Sequence, residues 1–341
     1  MVINILSKLF SYIASAVNFL YNTFFYNTIP EENKTAINKK IEAYNFDDKY
    51  EHNFKLDTLF FNDTRILDAN FFNVDRSPTS GNVITNNIKT NVAKTYVMIS
   101  GLALILSLLI FIYAVIKLIL VYVGLKTVKE EITIKKLLAN VAKSIILLLL
   151  LPIILAFISY AVDALIKLLN YFRLKLLEDM LKANGNVKAM DFETRILDMK
   201  FNSSKYKQTI NLIDIGYVLL VMVQTGFIIT YLKRFYTIGL LTMVSPLITI
   251  TYVLDKFNDD RSDVLARFFR EYTYTLLIMP IHGLMYLIFM FGASDIASVS
   301  PLFGVLIVML LGRAEKTIKG ILDARDLTVV RSSEEYLKRL K

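Results

Sequence analysis

The stretch that decides the fold is FYTIGLLTMVSPLITITYVL (Phe235–Leu254), then DKFNDDRSDVLARFFRE (Asp255–Glu271), then YTYTLLIMPIHGLMYLIFMFGAS (Tyr272–Ser294). Both outer runs are uncharged and long enough to enter a bilayer, since about 20 residues at ~1.5 Å rise cross a ~30 Å hydrocarbon core. Each carries a helix-breaking proline, Pro246 and Pro280, and His282 lies deep in the second run. Polar or kinked features at that depth are costly unless they face protein or water.

Four more uncharged stretches lie outside this block: Val97–Ile116, Ser144–Val162 (interrupted by Pro152), Ile215–Leu232 and the shorter Ile296–Gly312. A soluble core has no need of so many. The expected fold is an all-α polytopic membrane protein with five to six membrane helices. Amphipathic helices are expected at the N-terminus and at residues 256–271.

The chain divides by composition. Residues 1–29 carry a polar stripe at helical spacing (Asn4, Ser7, Ser11, Ser15, Asn18, Asn22), fitting a helix that either lies in the interface or spans beside other subunits. Residues 30–95 are rich in Asn and Asp and read as an extracytoplasmic segment. Its aromatic pairs Phe60-Phe61 and Phe71-Phe72 must pack on the chain's own spans or on a partner. Residues 96–167 read as the first membrane helix pair, 168–211 as a polar extracytoplasmic loop, 212–312 as the main membrane region and 313–341 as a tail. Thr194–Asp198 repeats Thr64–Asp68 letter for letter, a weak trace of duplication.

In the stretch 255–271, Val264, Leu265, Phe268, Phe269 and Tyr272 share one face, while Arg261, Asp263, Arg267, Arg270 and Glu271 take the remainder. That pattern suits a helix lying in the interface, its arginines meeting phosphate headgroups.

The formal charge is +9. Lysines and arginines gathering at the cytoplasmic ends of spans account for it more simply than nucleic-acid binding does. The loop Lys126–Lys143 holds five lysines against two glutamates, and the tail from Arg313 eight bases against five acids, which places both in the cytoplasm of a cell-membrane protein. Lys233-Arg234, read as the divider between two spans, asks for the same side. Six simple crossings cannot satisfy all three, whereas a re-entrant Pro246 segment does.

Chemistry is conspicuous by its absence. There is no cysteine, and the two histidines are His52 and His282, so a multi-histidine or thiolate metal site within one chain is not expected. No phosphate-binding Gly-x-x-x-x-Gly-Lys-Ser/Thr, nucleophile elbow or His-Glu-x-x-His motif is present. We expect neither catalysis nor a cofactor. His282 is either a polar or proton site lining a channel, or a neutral imidazole bonded to a neighbouring helix or to backbone freed by Pro280. Lys117 and Asp163 near run ends fit side chains reaching for the interface. The candidate channel or structural residues are thus Pro246, Pro280, His282, Lys233, Arg234, Arg267, Arg270 and Glu271.

Several blocks together resemble one family: Lys233–Lys256, Phe268-Phe-Arg-Glu-Tyr272, Met279-Pro-Ile-His-Gly-Leu-Met-Tyr286 and Arg313-Ala-Glu-Lys316, with Leu59-Phe-Phe-Asn62, Leu67-Asp-Ala-Asn-Phe-Phe72 and Leu109–Lys117 upstream. The chain from about residue 55 resembles the TrbL-like polytopic membrane subunit of type IV secretion systems, in its Gram-positive conjugative form. It departs from that pattern where Phe268 or Phe269 replaces an expected Trp and Asp259-Asp260 an expected Gly. The resemblance implies a channel subunit of the cytoplasmic membrane. Its partners would be further copies of itself, other secretion subunits including a membrane-associated ATPase, and a translocating single-stranded DNA–protein complex. Two other classes stay open: a secondary transporter with broken helices at Pro246 and Pro280, and a non-conducting scaffold of a secretion machine.

Overall fold

The computed structural model describes residues 12, 56–61, 70–72, 83–123, 128–183, 193, 196, 210–258, 263–299, 305–306, 309–310 and 320. Expectations for residues 1–29, most of 30–82, the repeated pentapeptide and the tail 313–341 fall almost wholly outside these. Among the described residues every element is helical. There is a short α1 (Leu56–Phe60), then α2 (Val83–Tyr122), α3 (Val128–Ala183), α4 (Ile210–Asn258) and α5 (Asp263–Val299).

Four of them, α2 to α5, are long and apolar enough to cross a membrane. The helices overrun the uncharged runs because apolarity marks what lipid accepts, whereas a helix continues until its backbone hydrogen bonds stop. So α2 starts at Val83, and most of the expected lysine-rich loop Lys126–Lys143 is already the first turns of α3.

The largest correction concerns α4. Two spans divided at Lys233-Arg234 were expected, with a re-entrant turn at Pro246; the structure has one helix of 49 residues with Pro246 inside it. At ~1.5 Å per residue it runs about 73 Å, more than twice a hydrocarbon core. Pro246 lacks the N–H that Thr242 O would accept, a defect worth ~3 kcal/mol in an exposed helix. Here the Ser245 hydroxyl donates to Thr242 O at 2.8 Å and supplies the missing bond. Thr242 and Thr249 bond back to Ile238 O and Pro246 O at 2.8 and 2.7 Å, and Ser144 of α3 donates to Thr249 O. Ser and Thr side chains that re-satisfy backbone let a membrane helix carry proline. Lys233 and Arg234 therefore lie within a helix and not in a loop between two spans.

The stretch 256–271 is likewise not one interfacial helix. α4 ends at Asn258 and α5 begins at Asp263. The apolar face of its second half packs on protein: Phe268 and Tyr272 are buried in the main core, and their rings stack at 5.9 Å. Arg267, Arg270 and Glu271 stay exposed.

α2 packs on α3 and α4, α3 on α4 and α5, and α4 on α5. Contacts fix the register: Ser144 meets Thr249, Ser159 meets Tyr272, and Tyr231 meets His282, so α4 runs antiparallel to both α3 and α5. In this register Lys89, Asp163, Lys233, Arg234, Arg270 and Glu271 fall within about two helical turns of one level. The burial is uneven. Only 11% of the apolar window of α2 is covered by protein, against 61% of that of α5.

Candidate functional site

The sequence-derived candidates do not form one cluster, but three of them meet. Arg234 on α4 is 4% exposed and reaches across to α5. Its Nε donates to Thr275 O at 2.8 Å and its Nη2 to Leu276 O at 3.2 Å, while Nη1 lies 3.6 Å from the Met279 sulfur. Leu276 is four residues before Pro280, so its carbonyl is the one that the proline ring deprives of a donor. The guanidinium fills that vacancy, which is why α5 passes Pro280 without a break. Hydrogen bonds from a charged donor contribute about 1.5–3 kcal/mol each, enough to offset part of the cost of burying the cation.

One turn of α4 earlier, the Tyr231 hydroxyl lies 3.2 Å from His282 Nδ1. His282 is fully buried, with the rings of Phe60, Phe227 and Tyr231 packed around it at 5.3–5.8 Å. Of the two expected partners for this imidazole, it takes the neighbouring helix. The backbone freed by Pro280 goes to Arg234 instead.

The floor of this site is a part of the chain read as an extracytoplasmic segment. α1 and the residues around it enter the bundle: Leu56, Leu59, Phe60, Phe61 and Phe71 are each at most 3% exposed. Phe60 touches Phe227, Tyr231, His282 and Tyr286 edge-on or tilted at 5.0–5.9 Å. The Arg173 guanidinium sits 4.6 Å from the Phe61 ring centre. Two glycines make room. A Cβ on Gly239 would meet the Phe71 ring at 3.2 Å, and one on Gly283 would meet Phe61 at 3.4 Å. The aromatic pairs thus pack on the chain's own spans.

Glu193 ties α1 in place. Its two carboxylate oxygens accept the Leu56 N–H at 3.1 and 2.9 Å, and Gln224 Nε2 donates to it at 2.9 Å. A carboxylate at the first N–H of a helix satisfies an orphan donor and opposes the positive end of the dipole. Sequence reading missed Glu193 and Gln224, because a single acid in a polar stretch carries no local signal. Gly239 and Gly283 inside apolar runs were the available clue to close approach.

Lys233, Arg234 and Glu271 line a cleft of about 670 Å³ on the outer side of α4 and α5, with Thr230, Thr237 and Thr275 beside them and Val223, Ile229 and Ile278 along its apolar wall. Pro246 lies apart from this site, beside α3. Arg267 and Arg270 stay on the exposed face of α5. Lys117 sits 4.7 Å from the Tyr113 ring, and Asp163 pairs with Lys167 at 2.7 Å. Among the described residues no group of three or more acidic or histidine side chains is placed to hold a metal.

Comparison with known proteins gives no match: no family model fits the chain, and no curated protein or solved structure is similar to it.

Proposed function

We propose that this chain is an integral membrane subunit of a type IV secretion channel for conjugative DNA transfer, working as an oligomer in the cytoplasmic membrane with its tail in the cytoplasm. The motifs of the TrbL-like resemblance support the family. The uneven cover of the helices supports the assembly: the apolar wall of α2, only 11% buried by its own chain, needs lipid or a second copy against it. The interior of one copy is filled by α1 and its aromatics, so a path for cargo runs between copies. The same filling favours a second reading, a scaffold that anchors the machine and conducts nothing.

Purification in mild detergent with the products of flanking genes co-expressed tests the first reading. A discrete multimer that retains a membrane-associated ATPase supports it. A monomer that binds no such partner counts against it. Crosslinking of DNA in transit to the chain separates channel from scaffold.

A further inference from the structure

We infer that the cleft between α4 and α5 receives α3 of a second copy of this chain, with the second copy's Asp163 set against Lys233 and its Leu168 and Tyr171 laid over Thr230 and Gly226. This contact presupposes the oligomer of the proposed function and gives it an interface. The cleft has the form of a seat for a helix. Along α4 its lining is Val223, Gly226, Thr230, Lys233 and Thr237, spaced by three and four residues, the stripe along which helices pack. Gly226, Thr230, Thr237 and Thr275 are small, which lets another backbone come close, and a Cβ at Gly226 would meet nothing within 4 Å. Among the described residues none of α3 lines the cleft, so it opens away from the helix that α4 and α5 share as a neighbour. Its apolar wall lies on the side of the charged level away from the uncovered wall of α2, so the lipid around α2 does not cover Val223, Ile229 and Ile278. Apolar surface beyond the reach of lipid calls for protein.

The complementary face is on α3. Ile153, Phe157, Tyr160, Ala164, Leu168 and Tyr171 fall on one side of that helix and are all exposed, with Asp163 on the flank. Height decides what meets what. Copies inserted in one membrane share an orientation, so a group on one copy meets groups at its own level on the next. Ser159 stands beside Tyr272, and Arg234 beside Thr275. Since α3 and α5 run the same way, and Asp163 is four residues past Ser159 as Thr275 is three past Tyr272, Asp163 and Arg234 stand at about one height. α4 runs the other way. Tyr171, eight residues past Asp163, therefore comes level with Gly226, eight before Arg234, and Leu168 comes level with Thr230. An aromatic ring thus meets the gap at the glycine. The charges agree as well. Asp163 is held by a surface pair with Lys167 at 2.7 Å, an interaction worth little, while Lys233 is exposed and has Arg234 beside it as a second cation. Asp163 and Lys233 meet at the rim of the contact, where water still reaches them. The contact is heterologous, from α3 of one copy to α4 and α5 of the next.

Two differently tagged forms of the full-length chain, one with Tyr171→Cys and one with Gly226→Cys, are co-expressed and their membranes mildly oxidised. Because the chain has no other cysteine, the contact reads out as a disulfide dimer carrying both tags. Leu109→Cys paired with Gly226→Cys, at different heights, gives none. In mild detergent Asp163→Lys weakens self-association by about tenfold, Lys233→Asp does the same, and the two changes together restore it. That rescue shows that both variants fold. A wild-type multimer that gives no disulfide between positions 171 and 226, or that associates as tightly with either charge reversed, overturns this interface and leaves the oligomer standing. A wild-type chain that stays monomeric with the products of flanking genes present removes the oligomer itself, and this contact with it.

Discussion

Arg234 donates to the carbonyl of Leu276, the one that Pro280 leaves without its helical partner, so a charged side chain on one membrane helix repairs the backbone of the next. The two residues are therefore coupled. Arg234→Met strands buried carbonyls and lowers stability by about 2–4 kcal/mol. In a Pro280→Ala background residue 280 regains an N–H, Leu276 O is satisfied within α5, and the same change costs roughly 1 kcal/mol less. Denaturant unfolding of the four proteins in detergent gives the coupling. Additive effects of the two changes would show that Arg234 does not serve that carbonyl.

Gly239 and Phe71 are paired by the space between them. A Cβ there meets the Phe71 ring at 3.2 Å, so Gly239→Leu forces ring or helix to move, an overpacking cost of about 1–3 kcal/mol. Phe71→Ala in the same chain removes the obstacle and restores part of the loss. The melting temperatures of the single and double variants measure it. A double variant less stable than Gly239→Leu would place Phe71 elsewhere.

What was legible in the sequence was the material of each helix; what was not was how helices end and what they hold. Pro246, Pro280 and Lys233-Arg234 read as interruptions because a local view sees a lost N–H or an unsolvated charge. Each proline is repaired by a partner that periodicity cannot reveal: Ser245 for Pro246 from the adjacent residue, and Arg234 for Pro280 from 46 positions away in a different helix. The pairs Phe60-Phe61 and Phe71-Phe72 were legible as groups in need of a surface, yet nothing local says that the surface is the interior of the bundle. The amphipathic face at Val264–Tyr272 was real, but the same pattern serves a protein core and a lipid interface equally well.

Glu193 is the acid that holds α1 in the bundle through the Leu56 N–H and Gln224. Because the chain has no cysteine, a single Phe61→Cys reports cleanly on whether that segment stays seated. Glu193→Ala removes a charge-assisted bond to a buried N–H, worth about 1.5–3 kcal/mol, and raises the rate of maleimide labelling at residue 61 by roughly tenfold or more. Equal rates with and without Glu193 would mean that ring packing alone seats α1.

Leu109 projects from α2 with 57% of its surface uncovered, although it is as apolar as any core residue. An aqueous protein would be penalised for such a wall by about 25 cal/mol per Å² exposed, whereas lipid accepts it at no cost. A single Leu109→Cys in intact membranes is therefore expected to resist a charged, membrane-impermeant maleimide applied to either side, and to react once the protein is unfolded in strong detergent. Cysteine placed at exposed Lys233, on the level where charges gather, is expected to label faster than Leu109→Cys. If Leu109→Cys labelled freely from water while Lys233→Cys stayed protected, the bilayer would have to lie on the other side of the charged level, around the apolar half of α5.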